Sequence, residues 1–433
     1  MARSAPTTLG VIGLGYVGLA VAIHAAMRGH RVIGYDVSEQ RVKCIQGGQF
    51  PFKGSEPGMQ EAFDRALNEK RVVATHNLND LAEAPIKLVA VQTPVTGGNH
   101  APDLTFLITA TIAAASCMVS GDLLIIESTL PPGTMERVIR PLVFTELHDR
   151  RGIVDYSLAC CPERVNPGRM LDHLRRMPRV LGVEDAMSER RALEFYSGLV
   201  DASVDTTDFT TAELVKTVEN AYRDVNIAFA NTVALLCEEY GSDVWAVREL
   251  VNKCEARAMH RPGPGVGGHC IPKDPWLLIA QSKEMAATAL IRTARETNVK
   301  MPHIVISRIE TWANAHKLPN PSVLVLGLAY KEDTDDTRDS PSLVVIEAAL
   351  ARGWGVSAHD PHVEPSFPLG GAQRIGALEG TYDVVLLLVA HQEYLDGGIS
   401  ALTSKFFLDT RGVFESSNPP LKTDAAGTLG VSR

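Results

Sequence analysis

A cysteine sits inside a run dense in glycine and proline: Pro262-Gly263-Pro264-Gly265-Val266-Gly267-Gly268-His269-Cys270-Ile271-Pro272-Lys273-Asp274-Pro275. Glycine at that density lets the backbone approach a ligand and present N–H donors. A cysteine at the end of such a loop, with a histidine before it and a helix starting after it, ionises more readily and becomes a nucleophile. The bland alternative is a buried thiol in a tight turn, the usual state of a free cysteine. Lys216 and Asn220 lie four residues apart in a stretch of helical composition and so share one face. Together they can hold a water and donate to a developing oxyanion. Their bland alternative is a solvated helix face. Asp274, four residues after Cys270, can orient Lys216 or move a proton.

A second set of residues suits a phosphate-bearing ligand. Gly13-Leu14-Gly15-Tyr16-Val17-Gly18 is a GxGxxG sequence that follows an apolar strand and opens a helix. In that context Gly13 permits a tight turn, Gly15 admits a pyrophosphate, and Gly18 allows close helix–strand packing. The helix N-terminus offers N–H donors to phosphate. Asp36 ends the next strand, where an acid bonds the ribose hydroxyls of NAD and repels the extra phosphate of NADP. Arg41, one helical turn on, leaves some NADP use open. Thr93 and Thr129 follow two further apolar strands and are candidates for cofactor contact, against the alternative that they cap strands and helices.

The elements that must position these groups read as α/β. Leu9–Gly13, Arg31–Tyr35, Ile86–Val91, Leu123–Glu127 and Ser157–Cys160 are short apolar strands with helical stretches between them. That alternation predicts a mostly parallel, doubly wound sheet. Thr210–Glu239 reads as a long helix apolar on more than one face and packed on several sides. Helix resumes at Pro275–Lys283 and continues to about His316. Ser322–Leu326, Gly355–Ala358, Asp383–Val389 and Phe406–Asp409 suggest a second α/β unit, and Glu415–Arg433 reads as a loose tail. The expected architecture is two Rossmann-like doubly wound domains joined by a long central helix. The boundaries fall at residues 1–204, 205–316 and 317–433.

Composition narrows the partners. A net charge of −9 argues against a nucleic-acid scaffold. No apolar run is long enough to cross a bilayer. Met1–Thr8 lacks the parts of a secretory signal, and the seven cysteines show no paired spacing. A reducing cytoplasm is expected, and no metal site is expected.

Taken together, these segments resemble the UDP-glucose / UDP-N-acetylmannosamine 6-dehydrogenases. The Gly267–Pro275 loop carries the likeness most strongly. Glu127-Ser128-Thr129, Cys161-Pro162-Glu163-Arg164-Val165, Glu213-Leu214-Val215-Lys216 with Asn220, Gly327-Leu328-Ala329-Tyr330-Lys331 and Asp336-Thr337-Arg338-Asp339-Ser340-Pro341 follow in the family's order. The likeness runs from about Leu9 to Val413. It implies a homodimer or higher assembly built through the helical middle. It also implies a four-electron oxidation of a UDP-sugar's C6 alcohol, reducing two NAD in succession. Chemistry agrees, because an aldehyde must gain a heteroatom before a second hydride can leave, and a thiolate supplies one.

The resemblance assigns Cys270 as nucleophile, Lys216 and Asn220 as water and oxyanion partners, and Glu163 to water activation or the thioester step. Asp274 and Thr129 join this catalytic group. Tyr16, Val17 and Arg338 go to the cofactor. Arg164, Val165, Gly267, Gly268, His269, Lys331 and Arg411 go to the substrate, as does Arg257, which could reach a neighbouring subunit's site. His269, where the UDP-glucose branch carries serine, and Trp276 favour UDP-N-acetylmannosamine, with UDP-N-acetylglucosamine and then UDP-glucose as alternatives. Two readings of other kinds are a non-catalytic nucleotide-sugar sensor and a two-electron hydroxy-acid dehydrogenase.

Overall fold

The computed structural model describes residues 6–52, 56–165, 168–414 and 418–431. Its N-terminal sheet holds β1 (Thr8–Ile12), β2 (Arg31–Tyr35), β3 (Val72–Thr75), β4 (Ile86–Val89), β5 (Leu123–Ile126), β6 (Ser157–Cys160), β7 (Arg179–Val183) and β8 (Val204–Thr207). The order is β3-β2-β1-β4-β5-β6-β7-β8. Pairing is parallel except between β6 and β7. The strands are apolar because both faces are covered. Leu9, Val11, Leu88 and Ile125 enter one core cluster, whereas Ile12, Val89, Leu124 and Ile126 enter the other. Successive side chains thus alternate between the faces. Order reverses between β1 and β4, and the ends of β1, β2, β4 and β5 present Gly13, Asp36, Thr93 and Thr129. Ligands of such sheets bind at this reversal.

The C-terminal sheet repeats the plan. It comprises β9 (Ser322–Leu326), β10 (Gly355–His359), β11 (Gln373–Arg374), β12 (Gly380–Leu387), β13 (Leu402–Asp409) and β14 (Lys422–Thr428), in the order β11-β10-β9-β12-β13-β14 and wholly parallel. β14 corrects the expectation of a loose tail. It pairs with β13 from Thr403↔Lys422 to Asp409↔Thr428, and Leu429 behind it is fully buried. Lys422–Thr428 has no apolar alternation. As an edge strand it is specified by the backbone pairing that β13 offers.

The long helix Phe209–Glu239 follows β8 and is itself roughly 45 Å long. It is not packed on every side. Leu214, Val218, Tyr222, Phe229 and Leu236 are exposed, with Tyr222 at 66% and Phe229 at 59%. At about 100° per residue they fall within a sector of about 80°. The helical stretch after Pro275 is also broken, into Asp274–Ile279 and Met285–Ala315, with Glu284 capping the second through the Ala286 N–H.

By contact density the chain divides into two units. One comprises Met1–Glu219 with Trp276–Ser282, and the other Asn220–Pro275 with Lys283–Arg433. The short inserted segment is fixed in the first unit by apolar burial and stacking. Leu277 and Ile279 are buried, and Trp276 stacks on His100 at 4.2 Å and 9°. In the second unit a buried polar chain joins the long helices. Arg295 pairs with Asp224, the Asn298 amide donates to Asp224, and Asn231 donates to Asn298 at 2.9 Å.

Candidate active site

The dinucleotide end is formed by local sequence. Gly13 has φ +94°, and a Cβ on Gly18 would sit 1.9 Å from the Gly13 carbonyl oxygen, so neither position accepts a side chain. Gly15 faces open space, as a pyrophosphate requires. Asp36 is buried and accepts the Leu14 N–H at 2.8 Å and the Ser38 N–H at 2.9 Å, while Arg41 pairs with it at 3.0 Å. The residues present therefore fit NAD. The Tyr16 hydroxyl bonds Glu56, and Val17 packs against the core. The Thr93 hydroxyl donates to the Thr129 carbonyl at 2.7 Å, tying the ends of β4 and β5 together. Glu213, on the long helix, accepts the N–H groups of Gly133 and Met135, and its burial pushes its carboxyl up to about 7.

Glu163 is buried. Its Oε1 accepts the N–H groups of Arg164 and Val165 at 2.6 and 2.9 Å, and its Oε2 pairs with Arg179 at 2.5 Å. Burial alone would raise its pKa, but Arg179, the Arg164 N–H and Lys216 outweigh it, and Glu163 lies below the ordinary carboxyl value. Lys216 is itself buried, yet its ammonium has no ion pair or hydrogen bond to any described residue. Arg164, assigned from the sequence to the substrate, lies beside Glu163. Its guanidinium is committed to Glu219, with Nε at 2.8 Å, and to the Pro178 carbonyl. Val165 contributes its N–H to Glu163.

In the second unit the cysteine loop is pinned at several points. The Gly263 N–H donates to Asn231 Oδ1 at 2.9 Å, and the Gly268 N–H to the Arg338 carbonyl at 2.8 Å. A Cβ on Gly267 would lie 2.5 Å from the Tyr330 Cβ and 2.7 Å from the Asp339 carbonyl oxygen. Glycine is required there because the loop rests directly on the Tyr330–Pro341 segment. Cys270 then turns into the helix: its carbonyl accepts the N–H of Asp274 at 2.8 Å. Its side chain is exposed, whereas Cys117, Cys160, Cys161 and Cys237 are buried. The buried Asp274 accepts from the Asn220 amide at 2.5 Å and lies 3.2 Å from Lys273. Burial, then the charges of Lys273 and Arg338, hold the His269 imidazole below its usual pKa, favouring the neutral ring.

The remaining cations vary in their commitments. Arg338 is bidentate to Asp336, and Lys331 is half-buried in the same loop. Arg411 pairs with Glu332 at 2.6 Å and lies against Gly263. Arg257 is exposed, and its side chain reaches the Ala256 carbonyl. Asp333, His362 and His391 have the spacing of metal ligands. However, His391 Nδ1 accepts the Asp333 N–H and Nε2 bonds Asp360, which commits both ring nitrogens. Asp360 is the second sheet's counterpart of Asp36. It is filled by the N–H groups of Leu328, Ala329, His362 and Val363 as well as His391.

Sequence reading missed Arg179, Tyr196, Asn231 and the Asp224–Arg295 pair. Their one local signal is a polar side chain in an apolar stretch, such as Arg179 before Val180-Leu181-Gly182-Val183. The partners that give them meaning are remote in sequence.

Comparison with known proteins agrees with this geometry. Residues 7–200 match the NAD binding domain of the UDP-glucose/GDP-mannose dehydrogenase family, residues 210–300 its central domain, and residues 324–416 its UDP binding domain. A UDP-N-acetyl-D-mannosamine dehydrogenase of Methanococcus vannielii is 36% identical over 93% of this chain and 92% of its own. The solved UDP-D-ManNAc dehydrogenase of Pyrococcus horikoshii superposes with a TM-score of 0.87 at 35% identity, covering 98% of this chain and 99% of the other. A UDP-glucose dehydrogenase of Pyrobaculum islandicum gives 0.88 at 29%, covering all of both chains. With its glycine turn, its acid after β2 and its cysteine loop all present, this chain belongs to the UDP-glucose/GDP-mannose dehydrogenase family of NAD-binding oxidoreductases.

Proposed function

We propose that the chain oxidises the C6 alcohol of UDP-N-acetyl-D-mannosamine to the carboxylate, by four electrons, with Cys270 as covalent nucleophile. One observation carries the chemistry: the largely buried Lys216 makes no hydrogen bond or ion pair to a described residue, and its charge acts on the anionic Glu163 beside it. An ammonium whose donors are uncommitted in a largely buried place is available to a ligand anion or a developing oxyanion. The sugar is inferred from the names of the archaeal relatives and from His269.

NAD would be held by Gly13, Gly15, Gly18, Asp36 and Arg41 with Tyr16, Val17, Thr93, Thr129 and Arg338, and would supply the hydride acceptor, two in succession. The residues of the chain do the rest. Lys216 and Asn220 donate to the C6 oxygen as it gains charge. The Cys270 thiolate adds to the C6 aldehyde, giving a thiohemiacetal whose oxidation leaves a thioester. Water held by Lys216 and Asn220 attacks the thioester. This breaks the C–S bond, returns the thiol and releases the carboxylate. Asp274 fixes the Asn220 amide, and Glu163 receives the water's proton. Gly267, Gly268, His269, Lys331 and Arg411 are assigned to the UDP-sugar, and Arg257 to a neighbouring subunit's substrate. Residues 1–204 serve NAD, 205–316 the cysteine and the subunit contact, and 317–433 the nucleotide sugar. The apolar stripe of the long helix supports a homo-oligomer, and the free thiols suit the cytoplasm.

A panel of UDP-sugars assayed for NADH, with product masses, tests this reading. UDP-N-acetylmannosamine should yield two NADH and the uronate. One NADH and an aldehyde would indicate a two-electron enzyme, and no NADH from any sugar would favour a sensor. Preference for UDP-glucose or UDP-N-acetylglucosamine would overturn the sugar alone.

A further inference from the structure

At the carboxyl ends of β5 and β6 and the amino end of β7 lies a buried group of ionisable side chains. Glu127 follows β5, Glu163 follows β6, Arg179 opens β7, and Tyr196 stands on the helix Ala186–Leu199; all four are buried. Arg179 pairs with Glu163. Glu127 Oε1 accepts the Tyr196 hydroxyl at 2.8 Å, while Oε2 is buried with no hydrogen-bond partner among the described residues. The backbones abut, with the Glu163 N–H donating to the Glu127 carbonyl at 3.1 Å.

A buried carboxylate oxygen with no donor is costly to leave charged, and an ionised carboxylate nearby adds to that cost. Glu163 is held ionised by three donors. The proton therefore belongs on Glu127, where burial and the Glu163 charge push the carboxyl up to about 8. Three other groups face the cluster: Cys161 beside it, Lys216 from the long helix and His24 from the helix Tyr16–Met27. Burial keeps Cys161 a thiol to about 12, and burial keeps His24 neutral down to about 4.

We infer that Glu127 is a positioning residue for the proposed hydrolytic step: it stands beside the Arg179–Glu163 pair, and its proton governs how strongly Glu163 binds one. The inference rests on the role given to Glu163 above. When Glu127 releases its proton to water, a second anion draws on the Arg179 charge, and Glu163 becomes a better base. No other bond changes.

Two measurements test this. In the wild type, kcat should rise about threefold or more between about pH 7 and about pH 9. E127Q keeps an acceptor for Tyr196 but cannot ionise, so it should flatten that rise. A purely structural Glu127 would instead scale kcat equally at every pH, which would overturn the inference, as would a wild type without the rise. Infrared difference spectra of the unliganded protein between about pH 6.5 and about pH 9.5 should show loss of a protonated-carboxyl band that E127Q lacks. A missing band refutes the resident proton. A titrating band in a protein without dehydrogenase activity refutes the proposed function instead. If E127Q fails to fold, Y196F removes a donor that lowers the Glu127 pKa. It should move both the band and the kinetic rise to higher pH, and no movement would count against the inference.

Discussion

Cys270 differs from the buried thiols of the sheets in being exposed at a turn whose backbone is pinned on both sides. Cys270→Ser should complete the first oxidation and then stall, because an alkoxide is a poor nucleophile at neutral pH and an ester hydrolyses slowly. Stopped-flow absorbance should show at most one NADH per site in a burst, then turnover reduced about a hundredfold or more. Two NADH per sugar at the wild-type rate would remove the covalent mechanism. Asp36 accepts two backbone N–H groups, so Asp36→Ala loosens the turn as well as the ribose contact. Loss of a charged hydrogen bond worth about 1.5–3 kcal/mol predicts a KM for NAD raised roughly ten- to hundredfold, and a narrower preference over NADP. Equal use of both cofactors by the wild type would refute the assignment. The glycine turn at Gly13, the acid Asp36 after β2 and the exposed turn at Cys270 were legible as local structure because their signal lies within a few residues of chain. Arg179 and Tyr196 were not, since Tyr196 meets Glu127 across 69 residues.

Among the elements, the cysteine loop depends on helices far from it in sequence. Asn231 spends its carbonyl on the Gly263 N–H and its amide on Asn298, so the loop is tied to the Asp224–Arg295 pair. Asn231→Ala strands two buried polar groups, at a cost of about 1–3 kcal/mol each. The melting temperature should fall by several degrees, and kcat should drop more than either KM. Unchanged melting and kinetics would show that the loop holds its shape alone. The strands of both sheets were legible from short apolar runs. The break at residues 280–284 was not, because Gln281-Ser282-Lys283-Glu284 carries no glycine or proline and ends one helix only through the Glu284 cap on the next. β14 was missed for the complementary reason: its pairing is written in β13.

At the scale of the molecule, the apolar sector of Phe209–Glu239 asks for a cover. Tyr222→Glu with Phe229→Glu places charge in it without touching either core. Light scattering should then report a smaller assembly than the wild type, with the circular dichroism retained. An unchanged mass would place the subunit contact elsewhere. The sequence revealed this helix but not its bare face, since apolar residues spread around a helix look alike whether neighbours or solvent meet them. The inserted Trp276–Ser282 segment has a different consequence, which concerns time. Residues 1–219 emerge from the ribosome long before the seven residues that complete their unit. Domains usually fold in the order of synthesis. Here the leading unit must wait, with the surface destined for Leu277 and Ile279 uncovered, until the chain has been made through Ser282. A cell making this protein must keep that surface from sticking to other chains during the interval.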